Sequence, residues 1–187
     1  GQPCILNIDP IGKNPIANFL PDIDILSIAH AGCNLKCLYC QNWEFAQKSP
    51  VQTRNISPFD PERIVRRMRS KNLRGIGFTY TEPVCCPEFV KEFASFCGDY
   101  GLKRTLCTAG YIEEKPFKNL LKVFEAVTIT FKGSTDRFYR EITGASITPV
   151  LNSMETVKSE GKWLEVATLV VPGLNDSIDI LKNIAIW

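Results

Sequence analysis

The sequence lacks a long hydrophobic run and lacks a strong excess of charge of one sign. No apolar stretch approaches the ~20 residues that a transmembrane helix needs, so we expect no membrane-spanning segment. The 22 basic and 20 acidic residues leave a net charge of +2. Because the basic residues are dispersed, nothing indicates binding to nucleic acid or to a membrane surface. We interpret the densest basic group, within residues 63–71, as a solvated helix face.

Internal repeats and low-complexity stretches are also absent. A chain of 187 residues with 44% hydrophobic content can bury one sizeable core, which indicates a single domain. Its eight cysteines could form the disulfide framework of a secreted protein. The strand and helix patterns are instead typical of a cytoplasmic α/β domain, where clustered cysteines more often hold metal. We interpret Cys4, Cys97 and Cys107 as small buried hydrophobic residues.

Three of the cysteines lie close together, directly after the apolar run Ile23 to Ala29. Cys33, Cys37 and Cys40 are separated by three and by two residues. A structural zinc site normally takes four ligands from the protein, whereas a cubane iron–sulfur cluster held by three cysteines leaves one iron open for an outside ligand. Three thiolates therefore indicate a reactive cluster.

The triplet, with the aromatic residue Tyr39 before its third cysteine, resembles the motif of the radical S-adenosylmethionine (SAM) superfamily. The resemblance implies a [4Fe-4S] cluster whose open iron takes the amino and carboxylate groups of SAM. It also implies that one electron from the reduced cluster splits SAM into methionine and a 5′-deoxyadenosyl radical, which abstracts hydrogen from a substrate. In the superfamily the aromatic side chain at the position of Tyr39 lies near the adenine.

Apolar runs alternate with helical patterns along the chain, which predicts five βα units in series. Such units form a parallel sheet with helices on its outer face. The predicted strands are Ile23–Ala29, Gly75–Tyr80, Lys103–Cys107, Ala126–Phe131 and Trp163–Val171, and apolar helical stripes follow each of them. Together with the resemblance, this pattern predicts an α/β fold, a partial (βα)6-type TIM-like barrel of the radical SAM core that is truncated before its sixth strand.

We expect residues 1–187 to form one radical SAM core domain that is incomplete at both ends. Residues 1–22 are predicted to be an N-terminal lead-in, and residues 23–187 to be the five βα units. The first residues resemble an internal stretch of the family, and the last lie in a helical pattern that has no stop signal.

Polar clusters follow the predicted strands, and the carboxyl ends of parallel strands share one edge of a sheet. SAM presents an ammonium, a carboxylate, hydroxyls and an adenine, so its site needs an acceptor, a cation, hydroxyl partners and an apolar slot. Four residues could meet these needs: Glu82 as the acceptor, Lys132 as the cation, Thr108 as a hydroxyl partner and Tyr39 for the apolar slot. Resemblance and charge complementarity assign Glu82 to the ammonium, and Lys132 to the carboxylate or a nearby acidic group.

The segment Thr79–Pro83 resembles one that meets the SAM amino group in the family, which makes Thr81 a further cofactor-binding candidate. This segment and other stretches resemble the pyruvate formate-lyase activating enzyme group, and within it most of all the AmmeMemoRadiSam-system proteins. The other stretches are Asp9–Ile11, Ala31–Glu44, Phe138–Gly144 and Val171–Asp176. The best understood members of that group abstract hydrogen from a glycine of a partner enzyme. The resemblance therefore permits a protein substrate and implies a reductant such as flavodoxin or ferredoxin.

Two positions depart from the pattern of the group, since Cys107 and Thr130 stand where its members usually carry aspartate. Cys85 and Cys86 follow the Glu-Pro turn, and adjacent side chains of an extended segment point in opposite directions. One hypothesis is that Cys85 or Cys86 faces the substrate cavity as a catalytic hydrogen-atom source or thiol ligand. The alternative is a buried pair at the start of a helix.

The sequence thus predicts a radical SAM enzyme, and two other classes stay open. An electron-transfer protein would bind the same cluster without needing Glu82, Thr108 and Lys132 around an open iron. A zinc-binding structural module could recruit Cys85 or Cys86 as a fourth ligand. For His30, which precedes the cysteine loop, we favour a packing role over a hydrogen bond to a cluster sulfide.

Overall fold

The computed structural model describes residues 3–53 and 59–186 and contains one six-stranded sheet. The strands are β1 (Ile5–Pro10), β2 (Asp24–Ala29), β3 (Gly75–Phe78), β4 (Lys103–Thr108), β5 (Ala126–Thr130) and β6 (Trp163–Ala167). They lie side by side in chain order, with β2 to β6 parallel and β1 antiparallel to β2. The mostly parallel sheet with its helices confirms the predicted α/β class. The sheet does not close on itself, which confirms the predicted partial barrel.

Helices follow the parallel strands, as the apolar stripes predict. They are α1 (Trp43–Ala46), α2 (Pro61–Ser70), α3 (Pro87–Asp99), α4 (Glu114–Leu121), α5 (Asp136–Phe138), α6 (Thr148–Ser159) and α7 (Ile178–Ile186). Proline stands at the first position of α2 and α3, where its missing N–H costs no hydrogen bond. A π-helical turn, Tyr139–Thr143, continues α5, and a 3-10 helix, Pro83–Cys85, precedes α3. No helix in the described ranges is both long and apolar enough to cross a bilayer.

The main core lies between the helices and the outer face of the sheet. Residues of β2 alternate, so that Leu26 and Ile28 join this core while Ser27 faces the concave side. Phe78 of β3 contacts the rings of Phe93 and Phe124, with centroids 6.4 Å and 5.8 Å apart. Aromatic burial on this scale supplies much of the hydrophobic stabilisation of a domain and leaves the concave face free for a site.

The concave face is filled at its lower end by the segment that follows β1. Asn14 is buried there and donates a hydrogen bond from Nδ2 to the Ser27 hydroxyl at 3.2 Å. Thr128 of β5 donates to the carbonyl of Pro15 at 3.2 Å. A Cβ atom at Gly77 would come within 2.9 Å of the Asn14 side chain, so a larger residue there would displace the side chains beneath this segment. The lead-in therefore closes the bottom of the partial barrel.

A carboxylate anchors the same segment at the far edge of the sheet. Glu165 of β6 accepts hydrogen bonds from the backbone N–H groups of Ala17 (2.7 Å), Asn18 (2.9 Å) and Phe19 (3.2 Å), and from Nε1 of Trp163 (2.9 Å). Burial alone would raise the pKa of Glu165, but these donors together outweigh burial and lower it. The two ends of the open sheet are thus joined across its concave side.

Replacing Glu165 with glutamine is expected to lower the free energy of unfolding at pH 7 by about 1–2 kcal/mol, because charged acceptors form the stronger hydrogen bonds. The folded-state pKa lies below the unfolded value of about 4.3, so this stabilisation is present above that pH and is lost as the pH falls through the folded-state pKa. Urea unfolding at pH 7 and at acid pH should show a gap between wild type and variant that closes in acid. The control Glu92→Gln, exposed on α3, should show no such gap, and a Glu165→Gln gap of equal size at both pH values would contradict the account.

Several local features differ from the sequence prediction. Strand β6 ends at Ala167 and not at Val171. The lead-in contains strand β1, which the prediction did not include. Strand β3 ends at Phe78 and not at Tyr80, because Tyr80 has a left-handed backbone with φ of 67°. Helix α7, whose apolar stripe predicts a buried face, has no buried residue, and Ile178 at its first position is 70% exposed. An apolar stripe shows that a helix has a face to bury but does not show that the described part of the chain covers it.

Candidate active site

A cavity of about 510 Å³ opens at the carboxyl ends of the parallel strands, above the segment that fills the bottom of the barrel. This volume is within the range of small-molecule sites, about 300–1,000 Å³. All eight residues expected to hold the cluster or SAM line it: Cys33, Cys37, Tyr39, Cys40, Thr81, Glu82, Thr108 and Lys132. The structure therefore brings together side chains from four separate strand-end segments.

The cysteine loop is supported by the π-helical turn that follows α5. The N–H of Lys36 donates to the carbonyl of Thr143 at 2.8 Å, and the N–H of Leu38 donates to the carbonyl of Ile142 at 3.0 Å. The turn ends at Gly144, whose φ is 69°, and a Cβ atom there would lie 3.4 Å from the Lys36 side chain. The wide turn thus presents two free carbonyls to the loop, and π turns of this kind are frequent at functional sites.

The three thiols of the loop line the cavity, and the structure leaves all eight cysteines of the chain as free thiols. Burial raises the pKa of Cys33 to about 12. Burial also raises the pKa of Cys37, although the positive charge of Lys132 opposes this rise. The N–H of Leu35 donates to Sγ of Cys33 at 3.4 Å, a contact that favours a thiolate or a metal-bound sulfur. Metal binding at this loop therefore releases protons.

Glu82 lines the cavity and is only 2% exposed. Its carboxylate accepts hydrogen bonds from the Thr108 hydroxyl (2.5 Å), the Ala109 N–H (2.7 Å) and the Val84 N–H (3.3 Å). Burial raises the pKa of Glu82, although these donors and the charge of Lys132 oppose the rise. Glu82 thus joins the ends of β3 and β4, and the Thr108 hydroxyl is directed at Glu82.

Hydrogen bonds fix the backbone of Lys132 at both its N–H and its carbonyl group. Its N–H donates to the hydroxyl of buried Tyr139 at 3.0 Å, and its carbonyl accepts from Nδ2 of Asn175 at 3.0 Å. Asn175 is completely buried and also donates to the carbonyl of Leu169. Among the described residues, the Lys132 ammonium has no ion-pair partner, whereas the other cavity lysine, Lys13, is paired with Asp9 at 2.7 Å. Lys132 is therefore the cation of this site that is open to an anionic ligand group.

Tyr39 contributes an aromatic ring and a hydroxyl to the cavity. Its hydroxyl is buried and has no hydrogen-bond partner in the described part of the chain, although the residue lines the cavity. Buried hydroxyls are usually paired, so a polar ligand in the cavity would satisfy this one. The cavity is lined by three free thiols, and by a cation and an aromatic hydroxyl that have no partner within the described ranges. These groups fit a [4Fe-4S] cluster with SAM beside it.

The two adjacent cysteines differ in exposure. Neither Cys85 nor Cys86 lines the cavity. The Glu-Pro turn forms the 3-10 helix Pro83–Cys85, which leaves the side chain of Cys85 exposed and places Cys86 against the main core at the start of α3. The extended geometry on which the hypothesis depended is not present.

His30 packs on the helix side of β2, with its ring edge-on to Phe89 and the centroids 4.6 Å apart. Burial lowers the pKa of His30 to about 4, so the imidazole is neutral at pH 7. Its Nε2 atom has no hydrogen-bond partner among the described residues. This position agrees with the favoured packing role.

Sequence reasoning missed several residues of the cavity wall. Lys13 comes from the lead-in, and Asn42 and Tyr80 meet through a hydrogen bond from Asn42 Nδ2 to the Tyr80 carbonyl at 2.5 Å. Cys107 is buried, as expected, but it also lines the cavity, and burial raises its pKa to about 11. The resemblance of the Cys-Gln-Asn-Trp-Glu segment was the one available signal for Asn42.

Comparison with known proteins agrees with this geometry. Residues 27–183 match the model of the radical SAM superfamily. The chain belongs to the radical SAM superfamily. An uncharacterized protein of Methanocaldococcus jannaschii is 39% identical over 97% of this chain and 53% of its own length. The pyruvate formate-lyase-activating enzyme of Clostridium pasteurianum is 25% identical over 82% of this chain and 65% of its own length. The chain thus spans about half to two thirds of the length of these relatives.

A protein of known structure shares the fold. SuiB of Streptococcus suis bound to S-adenosylmethionine has a TM-score of 0.65 at 17% identity, over 86% of this chain and 38% of SuiB. SuiB bound to the precursor peptide SuiA has a TM-score of 0.62 at 14% identity, over 94% of this chain and 38% of SuiB. At these identities the likeness shows the fold alone.

Proposed function

We propose that this radical SAM protein reductively cleaves SAM and abstracts hydrogen from a protein partner. The observation that carries the proposal is one cavity lined by three free thiols, Glu82 and Lys132, whose ammonium has no ion-pair partner among the described residues. When bound, a [4Fe-4S] cluster supplies the electron that splits SAM into methionine and a 5′-deoxyadenosyl radical. A small electron carrier such as flavodoxin or ferredoxin would provide that electron.

The cavity residues have separate tasks in this proposal. Cys33, Cys37 and Cys40 would hold the cluster. Lys132, fixed through its backbone, would bind the SAM carboxylate, and the Tyr39 hydroxyl would meet the adenine or ribose. Glu82 would attract the ammonium while keeping the ends of β3 and β4 in place. Because these side chains are partly or fully buried, we expect the electrostatic contacts to be stronger than the same contacts in bulk water.

Two comparisons support a protein partner. One relative is named as an activating enzyme of pyruvate formate-lyase, and SuiB was solved with a precursor peptide. The cavity also holds few fixed charges to select a highly charged small substrate, since Lys13 is already paired with Asp9. A glycine or another neutral residue of an extended peptide would fit such a site.

Deuterium transfer tests the proposal. Cells of the organism that carries this chain would be grown in deuterated medium, and their extract would be separated into macromolecular and small-molecule fractions. With reconstituted protein, SAM and dithionite, deuterium should enter 5′-deoxyadenosine only from the macromolecular fraction, and protease treatment of that fraction should abolish the transfer. Transfer from the small-molecule fraction alone would contradict a protein partner. The matched control is Cys37→Ala protein, which should form no 5′-deoxyadenosine.

A further inference from the structure

Tyr80 has a backbone conformation that a bulky residue rarely adopts. Its φ is 67°, in the left-handed region that favours glycine. It stands directly after Thr79 and before Thr81 and Glu82, in the cavity wall where the proposed function places the SAM amino group. Strained backbone of this kind persists only where the surrounding structure holds it, and it clusters at functional sites.

The side chain of Tyr80 is held from β1. Its hydroxyl donates to the carboxylate of Asp9, a residue only 5% exposed. The same carboxylate accepts from Nζ of Lys13 at 2.7 Å, and that ammonium lies 5.4 Å from the centre of the Tyr80 ring. Asp9 therefore binds both the Lys13 ammonium and the Tyr80 hydroxyl. The hydrogen bond to Asp9 and the cation–π contact with Lys13 together fix the Tyr80 ring.

The backbone around Tyr80 is held from the opposite side. Its carbonyl accepts from Asn42 Nδ2, in the segment that follows the cysteine loop. The next residue, Thr81, donates its N–H to the Thr79 carbonyl at 2.8 Å and its hydroxyl to the His30 carbonyl at 2.6 Å. The left-handed turn thus sets the position of residues 79–82 relative to the loop that carries the three cysteines.

We propose that Asp9 is a positioning residue, which holds Tyr80 in its left-handed conformation and so places the Thr79–Glu82 segment for SAM binding. This role rests on the proposed function of the cavity. Glycine could take the same conformation without support from a side chain, whereas tyrosine needs the Asp9 carboxylate to oppose relaxation to negative φ. Without Asp9, rotation at Tyr80 would move its carbonyl away from Asn42 and shift the wall that faces the ligand.

Rescue by glycine tests this role. SAM dissociation constants would be measured by calorimetry on the anaerobically reconstituted full chain. Asp9→Ala should weaken SAM binding roughly tenfold, which corresponds to about 1.4 kcal/mol. Adding Tyr80→Gly to Asp9→Ala should return the affinity to within about threefold of wild type. Adding Tyr80→Ala should not, because alanine also removes the ring but keeps the cost of positive φ.

Urea unfolding of the same four proteins without SAM gives an independent measurement. The midpoint should fall in Asp9→Ala and recover with Tyr80→Gly more than with Tyr80→Ala. Equal rescue by glycine and alanine, or unchanged SAM affinity in Asp9→Ala, would overturn the positioning role and leave the proposed function intact. Wild-type protein that takes up the cluster but binds no SAM would overturn both.

Discussion

Replacing Cys37 with alanine is expected to reduce iron from about four atoms per chain to less than about one after anaerobic reconstitution. All three thiols of the cysteine loop would be needed to hold the cluster, so we expect that the two remaining thiols do not retain it. Cys37 lines the cavity together with Cys33 and Cys40, on a loop whose backbone is tied to the π-helical turn. Iron, acid-labile sulfide and visible absorbance together measure the loss.

Cys85→Ser and Cys86→Ser are the matched controls for this prediction. Neither thiol lines the cavity, so both variants should keep the iron and sulfide content of the wild type. Loss of metal in either control would bring back the hypothesis of a fourth thiol ligand. Bound zinc in place of iron and sulfide would contradict the account, because it would make the loop part of a structural metal site.

Replacing Glu82 with alanine is expected to lower the free energy of unfolding by roughly 3 kcal/mol or more. The substitution leaves three donors without their acceptor, namely the Thr108 hydroxyl and the N–H groups of Ala109 and Val84. Each unsatisfied buried donor costs about 1–3 kcal/mol. Such a loss is a large part of the 5–15 kcal/mol that stabilises a typical domain, and urea unfolding without SAM measures it.

Two further variants separate the contribution of Glu82 from that of negative charge in general. Glu82→Gln keeps one acceptor oxygen and should lose less stability than Glu82→Ala. Glu88→Ala, exposed in the first turn of α3, should change the free energy of unfolding by no more than about 0.5 kcal/mol. Equal stability of Glu82→Ala and wild type would show that the three hydrogen bonds do not hold the ends of β3 and β4 together.

The cavity residues that the sequence predicted are those that follow strands directly. Parallel strands place their carboxyl ends at one edge, so Cys33, Glu82, Thr108 and Lys132 had to converge once the strand pattern was recognised. The hydrogen-bond partners of these side chains could not be predicted, because they depend on which strands lie side by side and in which register. The pairing of Thr108 with Glu82, for example, fixes two residues that are 26 positions apart in the chain.

Residues that act from the lead-in could not be found from sequence patterns. Asp9 meets Tyr80 across 71 residues of chain, and Glu165 meets Ala17 across 148. Such contacts depend on the antiparallel placement of β1 and on the path of the following segment across the concave face. The positive φ of Tyr80 could not be predicted from backbone propensities either, because tyrosine seldom has a positive φ and tertiary contacts impose it here.

The hypothesis on Cys85 and Cys86 stays a prediction, but the local geometry differs from the one it assumed. It assumed an extended segment after Glu82, whereas Glu82 caps a 3-10 helix by accepting the N–H of Val84. A proline at the first position of that short helix favours the turn. Cys85 and Cys86 are then not part of the cavity wall. Among the described residues, Cys107 is the one further thiol that lines the cavity, and its sequence pattern predicted a buried hydrophobic residue.

The central claim is that this cavity uses a cluster to cleave SAM, and product formation tests it most directly. Wild-type chain would be reconstituted anaerobically, reduced with dithionite in the presence of excess SAM, and assayed by chromatography for 5′-deoxyadenosine. The account expects about four irons per chain and 5′-deoxyadenosine that is absent from Cys37→Ala protein. A fully loaded cluster that forms no 5′-deoxyadenosine would contradict the account and favour an electron-transfer protein.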